Sequence, residues 1–211
     1  MKDLEQLVAE LADELAAVNP APDPYRLTLG LVGASIVYLA VSLAVSGVRP
    51  DWLLALGRPW FVAEIVMLLL MVGAGLLSVT LLSFPDLYQK RALAFASLGA
   101  FMLFGVVMLM AWRADSPPAA LPEHSIECTL CIALLSLPPA VGMFYLMRRF
   151  ASTHRQWAGG VAMLSAFSIG ALWLRFEEPN DSIAHVIEWH YLPMLAIGVL
   201  GLWLGKRMLK W

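Results

Sequence analysis

Hydrophobic positions in this chain fall into long unbroken blocks, not into the period-two alternation of a half-buried strand or the narrow stripe of a soluble helix. Five blocks stand out: Leu27 to Val48, Trp60 to Phe84, Ala92 to Trp112, Cys128 to Met147 and Trp157 to Leu174. Each can cross a hydrocarbon core, which is about 30 Å thick and needs roughly 17 to 25 helical residues. Glu64 is the one charge inside them. A sixth block, Trp189 to Leu204, is shorter, and its helix is expected to start near Asp181 or Ser182, both good N-cap residues. Backbone groups in lipid must be satisfied within the segment, so the expected fold is all-α, a six-helix transmembrane bundle with both ends of the chain on one side.

The pattern changes ahead of the first block. Leu4, Leu7, Val8, Leu11, Leu15 and Val18 recur at helical spacing with acidic residues between them, and Asn19-Pro20, Pro22 and Pro24 end the run. Two units follow: an amphipathic helix on a proline-rich linker, residues 1–26, and a membrane domain, residues 27–211.

Composition agrees with this division. Of 211 residues, 60% are hydrophobic and 14% charged, and the mean hydropathy is +0.74, outside the soluble range. Lys and Arg near the block ends set the orientation. With the N-terminus cytoplasmic, that side holds Lys2, Arg26, Lys90, Arg91, Arg148, Arg149, Arg155, Lys206, Arg207 and Lys210, against Arg49, Arg58, Arg113 and Arg175 opposite. The positive residues form no stripe, so direct nucleic-acid binding is not expected. The first residues carry Asp3, Glu5, Glu10, Asp13 and Glu14 with no apolar core, unlike a signal peptide. An acidic helix is repelled by an anionic leaflet, so its apolar stripe calls for a protein surface: a soluble partner, the chain's own loops or a second copy.

Within the blocks, Glu64 is expected to reach outward or pair with Arg58, Gly201 and Gly205 form a small-residue pair for close packing, and Pro138-Pro139 should kink the fourth span. No phosphate-binding or kinase motif accompanies the chain, and no organic cofactor is expected.

Chemistry gathers on the side opposite the termini. In "HSIECTLC", His124, Cys128 and Cys131 share a helix edge if the helix starts before His124, and "RFEEPNDSIAHVIEWHYLP" brings Glu177, Glu178, Asp181, His185, Glu188 and His190 to the same membrane face. His185 and Glu188 share a helical face, and His190 is expected to point away from it. Two thiolates with imidazoles suit Cu(I) or Zn(II). The expected ligands are His124, Cys128 and Cys131, completed by His185 or Glu188. A Cys128–Cys131 redox pair and plain packing of small half-buried cysteines are the alternatives.

The stretch "HSIECTLCIALLSLPP" running into "MRRF", then "WLRFEEPNDS", "WH" and a last span ending "GKRMLKW", resembles the NrsF family of six-span inner-membrane anti-sigma factors. The resemblance covers essentially the whole chain, and it implies that the N-terminal segment holds a sigma factor of the extracytoplasmic-function class, released under metal or oxidant stress sensed outside. Leu4, Leu7, Val8, Leu11 and Leu15 would carry that contact. One position departs from the family pattern: members carry a second cysteine where this chain has Glu178, and lack Cys131, so a disulfide between the two outer loops cannot form. The second sulfur is expected within the fourth span instead. Two rival functions are a quinone-linked thiol oxidoreductase, which generally needs a second cysteine pair, and a small metal transporter, which needs ligands deeper in the membrane.

Overall fold

The computed structural model describes residues 3–13, 22–85, 90–114, 125–150 and 152–210. All regular structure among them is helical. Helix α1 (Leu4–Asp13) precedes α2 (Pro24–Ser46), a short α3 (Trp52–Ala55), α4 (Pro59–Ser83), a short α5 (Arg91–Ala94), α6 (Ala96–Ala114), α7 (Ile126–Met147) and α8 (Arg155–Glu177). The last crossing joins α9 (Ile183–His185), a π-helical turn (Val186–Tyr191) and α10 (Leu192–Met208). Helices α2, α4, α6, α7, α8 and the composite Ile183–Met208 are each long and apolar enough to cross a membrane, which makes this a multi-pass membrane protein. Six crossings leave the bundle with two ends: a terminal end, toward which α1 and Met208 lie, and the opposite end, called here the site end.

Helix α8 is the centre. Its residues from Ala158 to Arg175 are almost all buried, and α4, α7 and α10 pack round it. Small residues allow this. A Cβ placed on Gly205 would lie 2.2 Å from the Arg155 carbonyl, and one on Gly159 would lie 2.4 Å from the Gly201 carbonyl, so only glycine lets the α8 and α10 backbones touch. The expected Gly201 and Gly205 pair thus has its counterpart in Gly159. Helix α2 is the opposite case. Asp23 caps it by accepting a hydrogen bond from Tyr25 N at 2.7 Å, and Pro24 opens it, but none of its residues is buried. It leans on α4 and α8 from the periphery.

Pro139 and Pro193 each leave a carbonyl inside a span without its α-helical donor, and in both cases a hydroxyl from another span fills the gap. Pro139 has no N–H to offer the carbonyl of Leu135, and Tyr38 of α2 donates to that oxygen at 2.8 Å. Pro193 likewise leaves the carbonyl of Trp189 without its α-helical donor, and Thr129 of α7 donates there at 2.5 Å. The π-turn immediately before Pro193 is the local answer to that missing bond.

Candidate functional site

At the site end, buried charge is concentrated around Asp181. The Arg49 side chain, with no exposed surface, donates to Asp181 through Nη1 at 2.8 Å and Nη2 at 2.7 Å, and to Asp51 at 2.8 and 2.9 Å. Arg175 donates to Asp181 at 3.0 Å and to Glu64 at 3.0 Å. Its Nε lies 2.8 Å from Glu64 Oε1 but off the direction of a hydrogen bond, so Nη2 carries the contact. Tyr191 donates to the other side of Glu64, and Arg58 reaches Asp181 from the surface. Both buried guanidiniums lie over the Phe61 ring, at 5.3 and 5.1 Å. Three arginines meet three carboxylates, so the group is balanced; unbalanced charge at this depth would be costly. Burial alone would raise the Asp181 carboxyl, but the Arg49 hydrogen bonds and the Arg175 charge outweigh it and hold it below the usual range. Arg49 is held more firmly protonated still, first by Asp181 and then by Asp51. Glu64 therefore faces inward to Arg175 and Tyr191, not outward to Arg58, because the buried guanidinium supplies the opposite charge and one donor and the Tyr191 hydroxyl supplies a second.

Three residues before Asp181, the same loop presents Glu178 to a second group. Cys128 Sγ lies 3.5 Å from Glu178 Oε2 and 3.9 Å from His185 Nε2. His185 Nε2 is 3.4 Å from Glu178 Oε1, and His190 Nε2 is 3.1 Å from Glu178 Oε2. One donor atom from each of the four residues falls within 4.8 Å of all the others. Four ligands round a tetrahedral Zn(II) stand about 3.3 to 3.8 Å apart, given bond lengths of about 2.0 to 2.3 Å, so the spacing is near what such an ion needs. The imidazoles are buried, and His185 Nδ1 and both ring nitrogens of His190 have no well-directed hydrogen bond, an unusual state for buried polar atoms. Glu178 sits below its ordinary range although burial pushes it up, because the His190 ring approaches it to 3.1 Å and both imidazoles face it.

The sequence expectation is only partly matched by what the fold brings together. Cys128 and His185 belong to the group. Cys131, three residues on and turned about 60° round the helix, is exposed, and both cysteines are free thiols. Glu188 is exposed as well. The described part of α7 begins at Ile126, and His124 lies outside the described residues.

His190 enters against expectation. Residues five apart diverge on an α-helix, but the i→i+5 bonds of a π-turn add one residue per turn and stack them, so the His185 and His190 rings come to 5.2 Å. Pro193, in "WHYLP", was the available signal. Glu178 is the other addition: its carboxylate faces Cys128 directly.

At the terminal end, Leu4 and Val8 of α1 are exposed at 76% and 57%. Leu7 and Leu11 lie within the same helix, while Leu15 and Val18 fall outside the described residues.

The family described as "Negative regulator of sigma F" (NrsF) matches residues 11–211. A protein of Azospira oryzae named "Probable anti-sigma-F factor NrsF" is 28% identical over 212 residues, covering 98% of this chain and 99% of that protein. The "Anti-sigma-F factor NrsF" of Caulobacter vibrioides is 28% identical over 214 residues, covering 96% of this chain and 98% of its own length. No solved structure matches.

Proposed function

The chain belongs to the NrsF family, and from that premise we propose that it is a membrane-bound anti-sigma factor of the bacterial inner membrane, with both ends cytoplasmic, that holds an extracytoplasmic-function sigma factor through its N-terminal helix and releases it when the group at the opposite end takes up a metal ion. The observation that carries the regulatory half is the convergence of Cys128, Glu178, His185 and His190 from three separate stretches of chain onto one buried point. Such a set is costly to bury without a ligand, since two imidazoles and a carboxylate lose water and gain few directed bonds in exchange.

The donors favour one class of ion. One thiolate, two imidazoles and one carboxylate suit Zn(II) or a similar borderline divalent ion, whereas Cu(I) prefers a sulfur-rich set, which would need Cys131 as well. Ligation draws on free energy of the right size: moving a two-state equilibrium from 1:99 to 99:1 takes about 5.5 kcal/mol, and structural Zn(II) sites supply apparent totals of roughly 10 kcal/mol or more. The output half rests on α1. Its exposed Leu4 and Val8 leave an apolar stripe uncovered, and its acidic face complements the basic surfaces by which a sigma factor meets nucleic acid.

The test is Zn(II) titration of the purified full chain in detergent, together with capture of the co-expressed sigma factor. One ion per chain is expected, retained in Cys131→Ser and lost in Cys128→Ser and in His190→Ala. Equal binding by all four proteins would remove the site, and capture of sigma factor unaffected by saturating Zn(II) would remove the regulatory link.

A further inference from the structure

We infer that Tyr38 of α2 is the positioning residue that passes the state of the four-residue group to the N-terminal helix, through its hydrogen bond to the Leu135 carbonyl at the proline joint of α7. The inference rests on the reading of that group as the sensor.

The donors are unevenly distributed. Glu178, His185 and His190 belong to the unit formed by α8, the loop after it and the last span, whose helices are locked by the glycine contacts at Gly159 and Gly205. Cys128 alone comes from α7. Anything that draws the four together therefore moves the site end of α7 against an otherwise fixed unit. Thr129, next to Cys128, already ties α7 to the π-turn at Trp189, so the two bodies meet at a defined point.

Helix α7 cannot carry such a movement as a rigid rod. Pro138 and Pro139 lie ten and eleven residues beyond Cys128, about 15 Å down the helix, and each removes a backbone bond there. Displacement concentrates where the ladder is broken. At that joint the exposed Leu135 carbonyl is held by Tyr38 at 2.8 Å. Beside it lies an apolar cavity of about 230 Å³ lined by Leu31, Ala34, Tyr38, Pro138, Pro139 and Met143, which gives the two helices room to shift.

The receiving helix is the least anchored span. None of the residues of α2 is buried, and its other polar ties sit at its ends: Thr28 to Thr80 at 2.6 Å, and Trp173 to Ser46 at 3.2 Å. Its terminal end leads through Asp23 to the linker that carries α1. A shift in the Leu135 carbonyl thus reaches α2 at mid-height, between two end ties, and tilts it.

The experiment reads amide hydrogen exchange across residues 24–46 in the full-length protein in detergent, with the α7 end restrained in two ways. One arm adds Zn(II). The other uses Glu178→Cys in a Cys131→Ser background, treated with a short bifunctional thiol reagent that bridges Cys128 and position 178 without any metal, the bridge being verified by mass before exchange is read. A reagent is needed because the 3.5 Å approach of Cys128 is to the far end of the Glu178 side chain and a cysteine sulfur sits nearer the backbone. With Tyr38 present, either restraint should change exchange in α2 by at least about threefold. In Tyr38→Phe, which keeps the ring and removes only the hydroxyl, α2 should not respond, while affinity for Zn(II) stays within about twofold of the parent. Pro139→Ala returns the missing N–H to Leu135 by another route and should also silence α2, which guards against a folding defect in the first variant. An equal response in Tyr38→Phe, or no response to the cross-link when Tyr38 is present, overturns the inference. If Zn(II) fails to bind but the cross-link moves α2 only when Tyr38 is present, the joint stands and the metal reading falls.

Discussion

Replacing Asp181 by alanine tests whether the balanced charge group at the site end holds the bundle together. The carboxylate accepts two hydrogen bonds from Arg49 and one from Arg175, besides the Arg58 contact. Asp181→Ala leaves three guanidiniums facing only Asp51 and Glu64, a net positive charge with two of its arginines 0% and 2% exposed. Breaking a buried pair by removing one partner costs about 3 to 5 kcal/mol, and the 14% exposure of the Asp181 side chain places the expectation near the lower end, about 3 kcal/mol. At roughly 2 to 4 °C per kcal/mol for a chain of this size, thermal unfolding in detergent should shift down by about 6 to 12 °C. Arg58→Ala is the control: its side chain is 54% exposed, so its contact should contribute at most about 1 kcal/mol. The pH dependence carries a sign. Because the folded Asp181 is held below its ordinary 3.8, its contribution is fully present above that value and is lost only as pH falls through the lower folded one. The gap between variant and parent should therefore be flat from pH 5 to 8. Equal shifts for Asp181→Ala and Arg58→Ala, or a gap that closes near neutral pH, would refute the reasoning.

Three other outcomes follow from the same structure. Leu4→Asp with Val8→Asp puts two charges into the exposed apolar stripe of α1, and should abolish sigma-factor capture in a co-purification while leaving the membrane domain intact. Gly205→Val places a Cβ 2.2 Å from the Arg155 carbonyl, a backbone atom that cannot yield, so the yield of folded protein in detergent should collapse, whereas Gly99→Ala, with open space round it, should be silent. A reporter fused after Trp211 should be active only in the cytoplasm; periplasmic activity would invert the proposed orientation.

Much of the architecture was legible in the pattern of residues, because a bilayer imposes its thickness directly on sequence. Apolar blocks longer than about 17 residues are natural spans, and the five that reach that length appear as helices within a few residues of their expected limits, while the shorter sixth block gains its length from a helix that begins at Ile183, close to the expected start near Asp181 or Ser182. The small pair Gly201 and Gly205 was readable for the same reason: in lipid, close backbone contact is among the few things glycine offers. That Cys128 and His185 lie at the same end of the bundle was readable as well, and their side chains do come together there.

Tertiary structure decided which of those residues meet. Helical periodicity placed His185 beside Glu188 and turned His190 away, but Pro193 withholds one amide, the turn before it widens to i→i+5, and the face rotates so that His190 joins His185 instead. Sequence spacing put Cys131 with Cys128, yet only Cys128 points to the loop that follows α8, where Glu178 waits. Glu64 was expected to seek the surface; Arg175, more than a hundred residues away in the chain, gives it a buried partner. Local pattern determines how long each element is and which solvent it meets, since those are set by the residue's own neighbours and by the bilayer. Which side chains converge depends on how helices distant in sequence are rotated against one another, and a single withheld hydrogen bond is enough to change that rotation.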